Sequence, residues 1–384
     1  MRFEESTLYN IYSKLNGKRY PLYDLALWKN GLAFKKIHFS DTGVPVIKIA
    51  ELNNGISGNT SYTKQIFSDD VHLKKEDLLF SWSGNPQTSI DIFKFQLQEG
   101  WLNQHIFKVT PNEEIVDRDY FYFLMKYLKP WFTQIASNKQ TTGLGHVTIA
   151  DIKRMSVLVP SLTMQKKIVD VLKPIDDKIQ INTSINNNLQ EQMEALHRSW
   201  FIDYAPFGDA KPSNWIKADI YSIANIIYGA PFASKLFNTE GLGNPIIRIR
   251  DLKEQTFVTY TTEIHPKGHL IQPGDIVVGM DGEFRPYIWG NSEAWLNQRV
   301  CIFESKLPSD KAFMLYTIKP LLNVIEQTQV ATTVIHIGKK DYDAFEIVLP
   351  DRKTLDQFGE ITTPMLERIV NNSIEDIYGD KQMR

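Results

Sequence analysis

The sequence predicts a mixed α/β protein made of two similar domains joined by two long helices that pair antiparallel as a coiled coil, an internal pseudo-two-fold repeat. Three observations predict it. Val44-Pro45-Val46-Ile47-Lys48-Ile49-Ala50-Glu51-Leu52 returns as Asn244-Pro245-Ile246-Ile247-Arg248-Ile249-Arg250-Asp251-Leu252, and Trp101-Leu102-Asn103-Gln104 returns unchanged as Trp295-Leu296-Asn297-Gln298. His146-Val147, Asp151 and Val157-Leu158-Val159-Pro160 match His336-Ile337, Asp341 and Ile347-Val348-Leu349-Pro350 in the same order. A repeat this long is a duplicated domain rather than a solenoid unit. The third observation is that each copy ends in Val-Pro or Leu-Pro and passes into a stretch with apolar residues at steps of three and four.

Taken in order, residues 1–16 read as a short amphipathic helix (Phe3, Leu8, Ile11, Tyr12, Leu15) that packs beside the coiled coil. Residues 17–160 form the first domain, with strands expected at Val44–Leu52, Leu78–Ser83, His105–Val109 and Met155–Val159. A helix is expected over Asp117–Ser137, with Pro130 kinking or ending it. Residues 161–205 form the first long helix, its seam made by Ile168, Leu172, Ile175, Ile179, Asn182, Asn186, Leu189, Met193 and Leu196. Residues 206–350 repeat the first domain, with a helix opening at Ser309 or Asp310 and running to about Thr328. Residues 351–384 form a shorter second helix with seam residues Phe358, Thr362, Met365, Ile369 and Asn372. Pro174 and Pro364 are expected to kink or restart the two helices. A buried asparagine at the seam costs stability and fixes register. As a straight helix, Thr163 to Trp200 spans on the order of 55 Å, about one and a half turns of B-DNA at ~34 Å per turn.

Composition bounds the rest. At 384 residues, with 42% hydrophobic and 23% charged residues, the chain has room for two or three ordinary globular domains. The acidic first residues carry no apolar run, so no signal peptide is expected, and no stretch approaches the length of a membrane span. Cys301 is the single cysteine, expected as a small core residue, and a cytoplasmic setting fits. The net charge of −2 argues against a tight nucleic-acid binder working alone, although basic residues gathered on one face would still serve.

The sequence offers no catalytic and no metal site. Gly338-Lys339-Lys340 lacks the rest of a phosphate-binding loop, and Gly143-Leu144-Gly145 reads as a turn. No cysteine pair or His-Glu-x-x-His string offers metal ligands. Asn85-Pro86-Gln87 fails as an amino-methyltransferase motif. Pro350-Asp351-Arg352-Lys353 resembles a nuclease fragment, but its counterpart Pro160-Ser161-Leu162-Thr163 has lost every charge. His146 and His336 recur with Asp151 and Asp341 nearby; a structural turn and a ligand contact are both open for them.

These features together resemble the specificity subunits of type I restriction-modification systems. The resemblance rests on the repeated strands, on Thr141-Thr142-Gly143 with His146-Val147, on Leu158-Val159-Pro160-Ser161-Leu162, and on Gln165-Lys166-Lys167-Ile168-Val169-Asp170-Val171-Leu172 followed by Ile175-Asp176-Asp177-Lys178-Ile179. The second copy departs at Thr332-Thr333-Val334 and at Leu355-Asp356. The resemblance implies two target-recognition domains reading a split, asymmetric site on double-stranded DNA, with the helices setting the unread gap. Two modification subunits would dock on the helices and methylate adenine with S-adenosylmethionine. Restriction subunits would add translocation and cleavage with ATP and Mg²⁺. The chain itself would carry no cofactor.

Residues that read bases should differ between the copies and sit in loops. In the first copy these are Trp82, Ser83, Asn85, Gln87, Thr88, His105, Lys139, Gln140 and Thr141. In the second they are Asp281, Glu283, Arg285, Tyr287, Arg299, Gln329 and Thr332. Lys48, Arg248 and Arg250 suit phosphate. A solvated hairpin tip is the other reading of the loops at 82–89 and 280–287. Two alternatives remain: a nuclease or methyltransferase with an unrecognised site, and an interaction scaffold with no nucleic-acid role.

Overall fold

A computed structural model describes residues 16–140, 143–328 and 336–383. The helix expected over residues 3–15, and the candidates Thr141, Gln329 and Thr332, lie outside them. The chain divides into two compact units, one ending at Ile175 and the other running from Asp176 to Met383. The division falls inside the long helix, one residue beyond Pro174, rather than at a helix end.

In the first unit an antiparallel sheet has the order Ala26–Asn30, Ile106–Pro111, Leu78–Ser81, Asp91–Lys94. The central strand Leu78–Ser81 is buried at every position, as expected of apolar residues covered on both faces. A second sheet has the order Tyr62–Thr63, Val44–Ile47, Glu99–Leu102, His72–Lys74, with Val46 and Ile47 parallel to Trp101 and Leu102. Gly17–Pro21 pairs with Ser156–Pro160. Trp28 meets Phe80, Phe107 and Phe121 edge-on, at centroid distances of 6.0, 6.1 and 6.2 Å.

The second unit repeats this order. Ala224–Tyr228, Val300–Ser305, Ile276–Gly279 and Pro286–Ile288 form the antiparallel sheet. Asn244–Ile247 runs parallel to Ala294–Leu296 in the other, and Ile216–Asp219 pairs with Glu346–Leu349. Cys301 is fully buried in Val300–Ser305. Gly31 and Gly229 occupy matching positions where the chain crosses the Trp-Leu-Asn-Gln repeat. A Cβ would stand 2.2 Å from the Asn103 carbonyl oxygen at the first and 2.0 Å from that of Asn297 at the second.

Four expectations are corrected. Val44–Leu52 is not one strand: it ends at Ile47, and Ile49–Asn54 is a helix, started by the Glu51 carboxylate accepting the Lys48 N–H at 3.0 Å. The helix at Asp117 is two, Arg118–Tyr127 and Lys129–Asn138, with Pro130 in the first turn of the second, where its missing N–H costs nothing. Residues 286–288 are a strand, so the loop expected over 280–287 is shorter. Neither long helix restarts at its proline: Leu162–Phe201 and Arg352–Met383 are continuous through Pro174 and Pro364. A proline removes only one backbone bond of a helix, and both helices run on past it.

The first turns of the long helix belong to the first unit. Gln165 is fully buried and makes three bonds there: its Oε1 accepts from the Asp117 N–H at 2.7 Å, and its Nε2 donates to the carbonyls of Ile115 and Pro160 at 3.0 and 2.8 Å. In the second unit, the stretch from Asn182 to Phe201 pairs antiparallel with the C-terminal helix. Asn182 donates to Asp376 at 2.8 Å, Asn186 meets Asn372, and Phe201 packs on Phe358 at 4.9 Å. Met193, Phe358 and Ile369 are buried, with Leu189, Leu196 and Met365 half-buried beside them. Ile168, Leu172, Ile175 and Ile179 are half-buried.

Candidate functional site

The parallel strand pair determines where polar side chains gather in each unit. Parallel strands end at the same edge, so the residues that follow them come together. In the second unit, Arg248 and Arg250 follow Asn244–Ile247, and Gln298 and Arg299 follow Ala294–Leu296. Asp281 joins them because Gly279 pairs with Val300. With Ile249, Asn297 and Val300 these residues line an open cleft of about 430 Å³.

The cleft is internally braced. Arg299 Nε faces Asp281 Oδ2 at 3.6 Å, while Asp281 Oδ1 pairs with His336 Nδ1 at 2.5 Å. The Arg299 carbonyl accepts the Met280 N–H at 2.9 Å, and Asp281 and His336 also bridge through their backbones. Arg250 donates to Thr259 Oγ1 at 3.2 Å and lies 3.7 Å from Asp251. Burial pushes the Asp251 carboxyl above its ordinary value, against the opposing pull of the Arg248 N–H and the two guanidiniums.

The same edge of the first unit carries different chemistry. Lys48 Nζ donates to Ser61 Oγ at 2.8 Å and sits over the Phe39 ring. Trp82 donates from Nε1 to Asn30 at 3.1 Å and lies 5.6 Å from the His105 ring, and Gln104 meets His105 at 3.3 Å. The backbone there matches that of the second unit: Trp82 N–H bonds the His105 carbonyl, and Ser83 pairs with His146.

The other candidates are placed as follows. Asn85, Gln87 and Thr88 are exposed on one turn, with Asn85 Oδ1 accepting the Gln87 N–H at 2.9 Å. Glu283 and Arg285 are exposed and face each other at 3.6 Å. Tyr287 lies in a strand and packs on the apolar cluster around Trp289, apart from the cleft lining. Lys139 is paired with Asp151, and Gln140 is exposed just beyond the helix. The recurring aspartates start helices: Asp151 accepts the Thr148 N–H and Asp341 the Gly338 N–H, each at 2.8 Å. Burial would raise the Asp151 carboxyl, but bonds from Lys139 and Thr148 outweigh it and hold it below its ordinary value. Asp351 and Arg352, the nuclease-like fragment, are likewise structural. Asp351 accepts from Trp215 at 3.1 Å and from Thr354, and Arg352 grips buried Asp310. Among the described residues no group of three or more metal-binding side chains gathers, and no helix is long and apolar enough to cross a membrane. In the sequence Gln298 reads as structural and the Asp281–His336 pairing is not legible. Gln298 is shared by both copies, which disguises it, and the pairing joins residues 55 apart in the chain.

Comparison with known proteins agrees with this duplication. The sequence model of one family, described as the type I restriction modification DNA specificity domain, matches residues 16–191 and again 212–376. A stretch of 138 residues is 35% identical to the type I restriction enzyme EcoBI specificity subunit of Escherichia coli, covering 36% of this chain and 29% of that protein. The MjaIX specificity subunit of Methanocaldococcus jannaschii is 22% identical over 299 residues, 70% of this chain and 67% of that one. The chain spans 29% of the length of both the Escherichia coli relative and the HindI specificity subunit of Haemophilus influenzae. A crystal structure of a type I restriction-modification system S subunit from M. genitalium, 14% identical, shares the fold with a TM-score of 0.51 over 96% of each chain.

Proposed function

The chain belongs to the type I restriction-modification DNA specificity family, and on that premise we propose that it is the sequence-reading subunit of such a complex, each unit recognising one half of a split, asymmetric DNA site. One observation carries this reading: the two units share a strand order, yet at the edge where polar side chains gather one presents Trp82, Ser83 and His105 where the other has Met280, Asp281 and Arg299. A constant scaffold with different side chains at one place suits two half-sites of different sequence. Lys48, Arg248 and Arg250 suit phosphate contacts at the rim.

In this reading the chain is non-catalytic and works in the cytoplasm. Two modification subunits dock on its helical segments, which set the gap between half-sites, and restriction subunits join them. S-adenosylmethionine, ATP and Mg²⁺ belong to those partners, since this sequence offers no phosphate loop, metal set or methyltransferase motif. The test is methylation of genomic DNA by the chain with its modification subunit. Methylated adenines at a single two-part motif are expected, and none when either protein is omitted. Methyl transfer or cutting by this chain alone would overturn the reading.

A further inference from the structure

We propose that Arg299 reads a guanine in the half-site of the second unit, with Asp281 as its positioning residue. This rests on the DNA-reading function above and names the base-pair chemistry of one place in it.

The fork of the guanidinium matches the paired acceptors O6 and N7 that guanine presents in the major groove. A fork discriminates only if it is held, because a free arginine side chain finds phosphate as readily as a base. Arg299 is held at both ends. Its carbonyl is bonded to the Met280 N–H, and its Nε edge faces Asp281, so the two terminal nitrogens are what it offers outward. Asp281 is held in turn by His336 through side chain and backbone. The Arg299 side chain is 55% exposed and that of Asp281 21%, as a reader and its brace should be.

The neighbouring arginines fit another task. Arg250, which lines the same cleft, is tied to Thr259 and to the buried Asp251. Arg248 and Arg250 follow a different strand from Arg299, so the cleft offers phosphate-type contacts beyond one strand end and a braced fork beyond the other. In the first unit the position of Arg299 is held by His105, and that of Asp281 by Ser83. The same scaffold therefore presents a charged fork in one unit and an imidazole beside an indole in the other.

The experiment reads the methylated motif produced by the chain with its modification subunit in a host with no other adenine methylation. For the unaltered chain, one half-site should contain a fixed G·C pair. Arg299→Ala should make that single position degenerate, with discrimination falling roughly tenfold to a hundredfold, while the other half-site stays as it was. Arg299→Lys keeps the charge but not the fork, and should relax the same position with a smaller loss of binding. Asp281→Asn should relax it partially. Retention of the unaltered motif by both Arg299 variants, or equal weakening at every position as for a phosphate contact, would overturn the inference. If Arg299→Ala fails to assemble with its partner, Arg299→Lys carries the test alone. Absence of any two-part motif with the unaltered chain would instead count against the DNA-reading function itself.

Discussion

Asn372 donates its side-chain amide to Asn186 at 2.8 Å inside the helix pair of the second unit. Asn372 is fully buried, and Asn186 in turn lies within 3.4 Å of the Ile369 carbonyl and Ser373 Oγ. One turn away, Asn182 donates to Asp376 and Glu375. The middle of the seam is thus a ladder of amide donors whose partners only this register supplies, while the amide oxygens of Asn182 and Asn372 stay buried and unpaired. Asn372→Leu leaves the Asn186 amide carbonyl without its donor and should cost about 1–3 kcal/mol. The double change Asn186→Leu with Asn372→Leu should recover part of that loss. Urea unfolding of the four proteins in a double-mutant cycle measures the coupling; additive losses would show that the pair does not act together.

His197 predicts an acid-sensitive step in the same unit. It packs among Phe201, Phe313, Tyr316 and Phe358 and meets Thr317 Oγ1 at 3.1 Å. Burial pushes its pKa down from 6.5 to about 4. The unfolded chain therefore takes up the proton first as the pH falls. The stability due to neutral His197 is complete above about pH 6.5 and is lost towards pH 4, by on the order of 3 kcal/mol. Unfolding of the native chain and of His197→Phe at pH 7.5 and 4.5 checks this. The variant should lose less on acidification, and equal losses would place the effect elsewhere.

Gln165 ties the start of the long helix to the first unit through three backbone groups. Its counterpart in the second unit is Leu355, which is also buried, so the site tolerates an apolar residue only where the surrounding backbone is satisfied otherwise. Gln165→Leu should destabilise the first unit by on the order of 2–4 kcal/mol, read as a lower midpoint of thermal unfolding. Gln165→Glu should lower the midpoint at least as far, since it sets a buried carboxylate oxygen against the Ile115 and Pro160 carbonyls that the amide now donates to.

Gly31 and Gly229 give a prediction that applies to both units. Neither has room for a Cβ against the neighbouring asparagine carbonyl, so Gly31→Ala and Gly229→Ala must each shift a strand end. Reduced soluble yield and lower unfolding midpoints are expected for both, against no change for Gly58→Ala, where the space is open.

The duplication is legible in sequence because it rests on residues whose roles the backbone dictates. The Trp-Leu-Asn-Gln strings end parallel strands, and the aspartates at 151 and 341 open helices. Local hydrogen bonding is harder to see. Val44–Leu52 reads as a strand from its β-branched residues, and the Glu51 carboxylate three residues past Lys48 is the only sign of the helix start. The seam asparagines Asn182, Asn186 and Asn372 are legible from their heptad places and are buried, whereas His197, buried beside them, is not. A histidine just off the apolar steps looks solvated until Phe313, Tyr316 and Phe358 are packed around it. The cleft follows the same logic: Arg248, Arg250, Asp281 and Arg299 are each visible as candidates, but only the parallel strand ends gather them.

The most direct test of the central claim, that each unit reads its own half of one site, is exchange of residues 17–160 with those of a family member of different specificity. Mapping of methylated adenines should show one half of the motif replaced by the donor's and the other half, with its guanine, retained. Alteration of both halves, or of neither, would contradict the account.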